Sequence, residues 1–327
     1  MNFDYAKPAS EKAAIATLAK NSKACFIAGG TNLVDLMKKG VMAPEKLIDI
    51  TGLPLRAIEE RDQKIRIGSL AANSAVASHP LITAKLPLLA QALNAGASPQ
   101  LRNMATVGGN MMQRTRCTYF YDVAMPCNKR EPGTGCGALQ GYNRMHAIFG
   151  ASEQCIAVHP SDMCVALAAL DAQVIVHNGR QERKIPFGEF HRLPGTTPQK
   201  DNNLQKNELI LAVEIPVSAS RRNTVHYLKV RDRASYAFAL VSVAAAMEVQ
   251  NGVIRDIRLA MGGVAHKPWR LTEAEKFLVG KPASNDNFMA ASQLGFSSAK
   301  GFGYNDFKLK LGPNAIVTAL LTAANIK

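Results

Sequence analysis

The sequence predicts an α+β protein of two or three packed units, interrupted by one long irregular stretch. Three observations point there. A chain of 327 residues with 47% apolar and 20% charged residues can bury ordinary globular cores in more than one unit. Helical and strand patterns alternate towards both ends, with a boundary at Pro216 and the polar run Ser218–Arg222. From Arg114 to Ala157 periodicity is lost, and Pro126, Pro132, Gly133, Gly135, Gly137 and Gly141 accumulate.

The elements follow in order. Ser10–Ala19 reads as a helix and Ala24–Ala28 as a strand, after which Gly29-Gly30-Thr31-Asn32 leads into the amphipathic stretch Leu33–Lys39. Lys46–Asp49 reads as the next strand, giving strand, glycine turn, helix, strand. Alternation of Ile58, Ile65, Ile67 and Leu70 predicts short antiparallel strands, and Ser74–Ala95 predicts helices begun or broken by Pro80 and Pro87. A second glycine-rich segment runs from Gly96-Ala97-Ser98 to Thr106-Val107-Gly108-Gly109-Asn110. Past the irregular stretch come a helix, Met163–Leu170, and strands at Ala172–His177 and Leu209–Ile215. The last part reads as a strand near Tyr227–Val230, a helical alanine-rich run Ala237–Ala246, a strand Val253–Ala260, a Gly262-Gly263 turn and final helices.

The formal net charge of +14 invites a nucleic-acid reading, but the basic residues are scattered (Lys38-Lys39, Lys129-Arg130, Arg221-Arg222, Lys308, Lys310) and no nucleic-acid-binding motif accompanies them. Acidic partner subunits or solubility account for it better. No apolar run approaches the length of a membrane span. The opening MNFDYAKPASEKAA lacks a basic-then-apolar signal pattern, so any export is expected to depend on a signal-bearing partner.

Four of the six cysteines, Cys117, Cys127, Cys136 and Cys155, fall in the irregular stretch, whereas Cys25 and Cys164 sit in apolar surroundings and read as core thiols. With no signal pattern, ligation is favoured over a disulfide framework. A long stretch without periodicity in a compact domain is generally functional, and a metal or cluster can fold it where a hydrophobic core does not. Spacing by itself leaves an iron–sulfur cluster, a zinc site and free thiols open. There is no CxxC knuckle, yet His146 and His159 are near enough to keep zinc in play, and Cys164 stands as an outside candidate for a fourth ligand.

The Gly29–Asn32 turn suits close approach to a phosphate, because glycine admits the backbone and a helix start offers free amides. It is neither a P-loop nor GxGxxG. Thr106–Asn110 offers a second turn of the same kind; two unrelated β-turns remain an equal reading from spacing.

The strings FIAGGTNLVDLM, LRNMATVGGN, HPSDM and AMGGVAHKPWR, in this order from Phe26 to Arg270, resemble the FAD-binding subunit of the xanthine dehydrogenase and carbon monoxide dehydrogenase flavoprotein family. The resemblance implies a two-subdomain FAD-binding lobe over residues 1–220, with a boundary near 55, and a C-terminal α/β domain over 221–327. It implies that Ala28, Gly29, Gly30, Thr31, Asn32 and Leu33 cradle the FAD pyrophosphate. Thr106, Val107, Gly108, Gly109 and Asn110 would meet the pyrophosphate and ribityl side, and Asp162 would accept hydrogen bonds from the cofactor's hydroxyls. Gly96 and Ala97 would pack near the flavin. Lys229 matches a basic residue that the family places there, suited to negative charge on reduced flavin, although a solvated strand lysine fits the pattern equally.

Asn110 and Asp162 lie 52 positions apart, where most members have a short link. The extra segment, about 111–158, resembles the insertion of bacterial periplasmic aldehyde oxidoreductases, whose flavin subunit carries a 4Fe–4S cluster; Cys117, Cys127, Cys136 and Cys155 would be its ligands. The resemblance further implies a molybdopterin-binding large subunit that oxidises the aldehyde, a 2Fe–2S small subunit that relays electrons, an external acceptor, and a periplasmic location by co-export, with the cytoplasm as the alternative. The residues carry no catalytic triad or HExxH motif, so substrate chemistry belongs on a partner. A flavin subunit of a CoA-thioester aromatic reductase shares the insertion, and a zinc-stabilised interaction module without cofactor is the competing class.

Overall fold

The computed structural model describes residues 2–326, and its first helix starts where a side chain can cap it: Ser10 Oγ accepts from the Ala13 amide ahead of Glu11–Ala19. That helix packs on a three-stranded parallel sheet of β1 (Asp4–Ala6), β2 (Ala24–Ile27) and β3 (Lys46–Asp49), in the order β1-β3-β2. Parallel strands need crossovers, and here the helices Glu11–Ala19 and Leu33–Lys38 supply them.

A second unit is antiparallel. β4 (Ile58–Arg61), β5 (Lys64–Gly68), β6 (Gln173–His177), β7 (Glu182–Pro186) and β8 (Leu209–Pro216) form a sheet in the order β4-β5-β8-β6-β7. The expected hairpin is β4-β5, with Ile65 and Ile67 buried on alternate positions. Pro80 and Pro87 each occupy the first turn of a helix, Pro80–Lys85 and Pro87–Ala95, where a missing amide costs nothing.

The C-terminal unit is a four-stranded antiparallel sheet, β9 (Thr224–Val230), β10 (Val241–Gln250), β11 (Val253–Gly262) and β12 (Trp269–Arg270), in the order β12-β11-β10-β9. Helices Thr272–Leu278, Asn285–Gly295 and Lys308–Ala324 belong to the core on one face. Helices Pro87–Ala95 and Asp162–Ala169 of the preceding unit pack on the other.

This sandwich corrects one expectation. The alanine-rich run read as a helix over Ala237–Ala246 is largely strand β10, paired to β9 and β11 along its length. Its two faces serve different cores: Ala244 and Ala246 meet the first-lobe helices, while Val241, Val243, Ala245 and Met247 meet the C-terminal ones. A strand buried on both faces loses its period-2 polarity, so alanine's helical preference misleads. Small residues are needed there because Asp162–Ala169, buried at all eight positions, lies close; a Cβ at Gly262 would come 2.6 Å from Val165.

The cysteine-bearing stretch is irregular as expected, with one helical turn at Thr118–Tyr121. Polar side chains hold it. Arg130 donates to the carbonyls of Tyr119, Phe120, Val123 and Met125, and Asn128 Oδ1 accepts from Gly133 and Gly135.

Candidate functional site

The glycine turn after β2 and the segment after residue 105 meet, although some eighty positions separate them. Ala28, Gly29, Gly30, Thr31, Asn32 and Leu33 line one cleft together with Thr106, Gly109, Met112, Arg114, Asp201 and Asn202. Gly29 is required there, since a Cβ would lie 1.9 Å from the Met104 carbonyl oxygen; Gly30 has a φ of +71°. Among the described residues, the amides of Gly30, Thr31 and Asn32 donate to no backbone or side-chain acceptor, and Asn32 Nδ2 is buried without a partner. Unpaired donors facing a cleft suit an anionic group rich in acceptors, such as a pyrophosphate.

The second segment contributes differently from the expectation. It is a short helix, Val107–Met111, capped by Thr106 Oγ1 on the Gly109 amide. Val107 is a core side chain, and the Val107 and Gly108 amides donate to Ala71 and Ser69. Asn110 Oδ1 accepts from Ser161 Oγ at 2.6 Å. The expected row of free amides is therefore spent on folding, and Thr106 and the bare surface of Gly109 are what face the cleft.

A second cleft is lined by Arg116, Cys117, His146, His159, Ser161, Asp162 and Phe238 among others. Asp162 is fixed at its wall: Tyr227 Oη donates to Oδ1 and Lys229 Nζ to Oδ2, both at 2.8 Å. Lys229 is no solvated strand lysine. Its side chain is 4% exposed, and it also donates to the Ala95 carbonyl at 3.1 Å. Gly96 packs against this pair, a Cβ there falling 3.2 Å from Asp162 Oδ2, and Ala97 follows with φ +50°. Gly96 and Ala97 thus support the wall of the cleft rather than line it.

The four inserted cysteines converge. Cys127 and Cys136 pair as an isolated antiparallel bridge, Cys136 and Cys155 are in thiol–thiol contact, and Cys117 lies near both Cys127 and Cys136. All are free thiols. Contact with Cys155 pulls the Cys136 thiol down to about 6, while that contact and burial push Cys155 up. Burial raises Cys117 to about 12, against the pull of the Phe120 and Tyr119 amides. Amides of Ala138, Leu139, Ile156 and Ala157 likewise point at Cys136 and Cys155. Four convergent sulfurs, Cys127 and Cys155 buried and Cys117 and Cys136 half-buried, with amide donors aimed at Cys117, Cys136 and Cys155, suit a group that keeps thiolates charged.

Two imidazoles close the ring. His146 Nε2 lies 3.1 Å from Cys117 Sγ, and His266 Nε2 lies 3.2 Å from Cys155 Sγ. Burial lowers the His146 pKa to about 4 and that of His266 well below its usual value. The other histidine of the expectation, His159, goes elsewhere, close to His191 and Cys164. Among the described residues this is the one set of His, Cys, Asp and Glu side chains with three ligand atoms within 4.8 Å of one another. The four inserted sulfurs are spread more widely than ligands of a single ion. Cys164 therefore belongs to another cluster of side chains, while Cys25, expected in the core, is half-buried and lines the first cleft.

Sequence reasoning missed Arg114, Asp201, Tyr227, Lys129 and His266. Asp201 holds both Arg114 Nε and the buried Lys129 ammonium, tying residues 114 and 129 to the loop before β8. Arg114, Lys129, Tyr227 and His266 lie in segments the sequence singles out, but nothing local marks their partners, and Asp201 carried no signal.

Residues 1–218 match the family model described as the FAD binding domain in molybdopterin dehydrogenase, and residues 226–298 match the CO dehydrogenase flavoprotein C-terminal domain. The chain is 45% identical, over 98% of both sequences, to the aldehyde oxidoreductase FAD-binding subunit of Escherichia coli (strain K12). It is 30% identical to the glyceraldehyde dehydrogenase medium chain of Sulfolobus acidocaldarius, over 87% of this chain and 83% of that one. Among solved structures, a chain of carbon monoxide dehydrogenase from Hydrogenophaga pseudoflava superposes with a TM-score of 0.78 at 26% identity, covering 99% of this chain and 98% of that one.

Proposed function

Because the chain belongs to the FAD-binding flavoprotein family of the molybdenum hydroxylases, we propose that it is the electron-transferring subunit of a molybdenum-dependent aldehyde oxidoreductase. On a molybdopterin-binding large subunit the aldehyde takes oxygen from water, giving the carboxylic acid, two protons and two electrons. The electrons pass through a 2Fe–2S small subunit to this chain and on to an external acceptor. FAD, when bound, supplies a centre that takes up and releases that electron pair.

The chain's own residues bind and orient. The free amides of Gly30, Thr31 and Asn32 and the unpaired Asn32 Nδ2 would hold the pyrophosphate, over the glycine surface that Met104 forces. Asp162, pinned by Tyr227 and Lys229, keeps lone pairs for the cofactor's hydroxyls. Lys229 acts through Asp162, neutralising a carboxylate that would otherwise repel electron density at that wall. Cys117, Cys127, Cys136 and Cys155 would hold a 4Fe–4S cluster, which adds a one-electron centre within this subunit.

The observation that carries the reading is the meeting of Gly29–Leu33 with Thr106 and Gly109 on one cleft, whose lining residues Arg114 and Asp201 are tied to Lys129 of the cysteine-bearing stretch. The test is cofactor analysis of the purified complex. Flavin with about four irons and matching acid-labile sulfide in this chain is the expected result. Absence of flavin would sink the proposal, and flavin with one zinc and no sulfide would leave the flavin reading standing while removing the cluster. Export with a signal-bearing partner is supported by the family resemblance, and cell fractionation checks it: an assembled complex confined to the cytoplasm would overturn it.

A further inference from the structure

The cysteine cluster is not symmetric in its surroundings. Two of its four sulfurs, those of Cys117 and Cys155, face an imidazole nitrogen, at 3.1 and 3.2 Å. The donors come from separate parts of the chain: His146 from the cysteine stretch itself, and His266 from the loop between β11 and β12. Both rings are buried, 4% and 7% exposed, and each has a second nitrogen, Nδ1, that is buried without a partner. The sulfur is thus the one polar contact of each ring.

That arrangement fixes the tautomer. An uncharged imidazole has one N–H, and a metal-bound thiolate is an acceptor only, so the proton belongs on Nε2. The backbone under one ring is clamped as well: the His146 carbonyl accepts from buried Lys308 Nζ at 2.9 Å and from Asn305 Nδ2 at 3.3 Å. Lys308 also donates to the Gly263 carbonyl at 2.7 Å, three residues before His266. The C-terminal domain therefore supplies one imidazole directly and braces the other through Lys308 and Asn305.

We infer that His146 and His266 are positioning donors whose Nε2–H groups bond the Cys117 and Cys155 thiolates and raise the reduction potential of the cluster. The physical reason is that an N–H bond withdraws negative charge from sulfur and so stabilises the reduced, more electron-rich state. The inference rests on the cluster reading of the four cysteines. It makes the C-terminal domain, beyond its part in the fold, a determinant of how readily the cluster accepts an electron.

The test is a redox titration of the purified complex followed by electron paramagnetic resonance, with H146L, H266L, the double variant, and H146Q and H266Q. Each leucine variant is expected to retain iron, sulfide and flavin and to lower the midpoint potential. The expected size is about a tenfold loss of reduced cluster relative to oxidised at a fixed ambient potential, about 59 mV for one electron. The double variant should fall further, and glutamine, which keeps an N–H, should recover part of the shift. An intact cluster with unchanged potential in both leucine variants overturns the inference while leaving the cluster. Loss of iron in leucine and glutamine variants alike, with flavin retained, makes the histidines ligands and overturns it too. A wild-type complex without a cluster signal removes the cluster reading itself, and this inference with it.

Discussion

Lys229 and Asp162 form a buried ion pair, 4% and 9% exposed, beside the second cleft. Removing one partner strands a charge in a poorly solvated place. K229A is expected to cost about 3–5 kcal/mol of stability, measured by denaturant unfolding, and to lower flavin retained per chain. Unchanged stability would mean that water reaches the carboxylate. Gly29 makes a sharper case, because its alternative is a collision rather than a lost bond. With the Met104 carbonyl oxygen 1.9 Å from a built Cβ, G29A must displace the turn or the helix Pro99–Met104. A loss of about 1–3 kcal/mol is expected, with flavin content falling further than stability alone would explain. Full flavin occupancy in G29A would show that the turn does not set the cradle.

At the scale of elements, β10 and the cysteine stretch are held by opposite means. β10 is fixed by packing on both faces, so A244L is expected to destabilise by about 1–3 kcal/mol through overpacking against the first-lobe helices, seen as a lower thermal midpoint. The stretch around Arg130 is fixed by hydrogen bonds to four carbonyls that no helix or strand satisfies. R130A should therefore open this stretch to protease and, on the proposed cluster reading, lower the iron content while the flavin remains; equal protease resistance in the variant would contradict that. The helical reading of Ala237–Ala246 failed because alanine's preference is local whereas a strand between two layers is decided by its neighbours. The prolines at 80 and 87 and the cap at Ser10 were legible because each acts within its own first turn.

Across the whole molecule, the lobes are joined by charge as well as by apolar packing. Asp171, just after the helix Asp162–Ala169, pairs with Arg222 between the domains and with Arg258 and Arg270 of the C-terminal sheet. Burial works to raise its pKa, but Arg270, Arg222 and Arg258 outweigh burial and hold it below the usual value. Asp201 is depressed in the same way by Lys129 and Arg114, and Asp49, hydrogen-bonded to Tyr5 and Thr51, is lowered to about 2. Carboxylates depressed in the folded state contribute stability that is complete above their unfolded pKa, about 3.9. It is lost as pH falls through the folded values. The thermal midpoint is thus expected to drop steeply from about pH 4 towards 2, and D171N should flatten part of that dependence; an identical profile in D171N would remove Asp171 from the account.

The sequence by itself determined the order of the cofactor turns, the helix starts marked by a cap or a proline, the family, and the concentration of four cysteines in a stretch without periodicity. These are properties of adjacent residues: a cap, a proline, a glycine pair, a spacing. Tertiary structure alone decided that Gly29–Leu33 and Thr106 share a cleft, and that the amides of Val107 and Gly108 are spent inside the fold. It also decided that Lys229 is paired rather than solvated, and that imidazoles 29 and 111 positions away meet the thiols of Cys117 and Cys155. Such meetings depend on which surfaces bury one another across the chain, and no local pattern of charge or hydrophobicity encodes that distance.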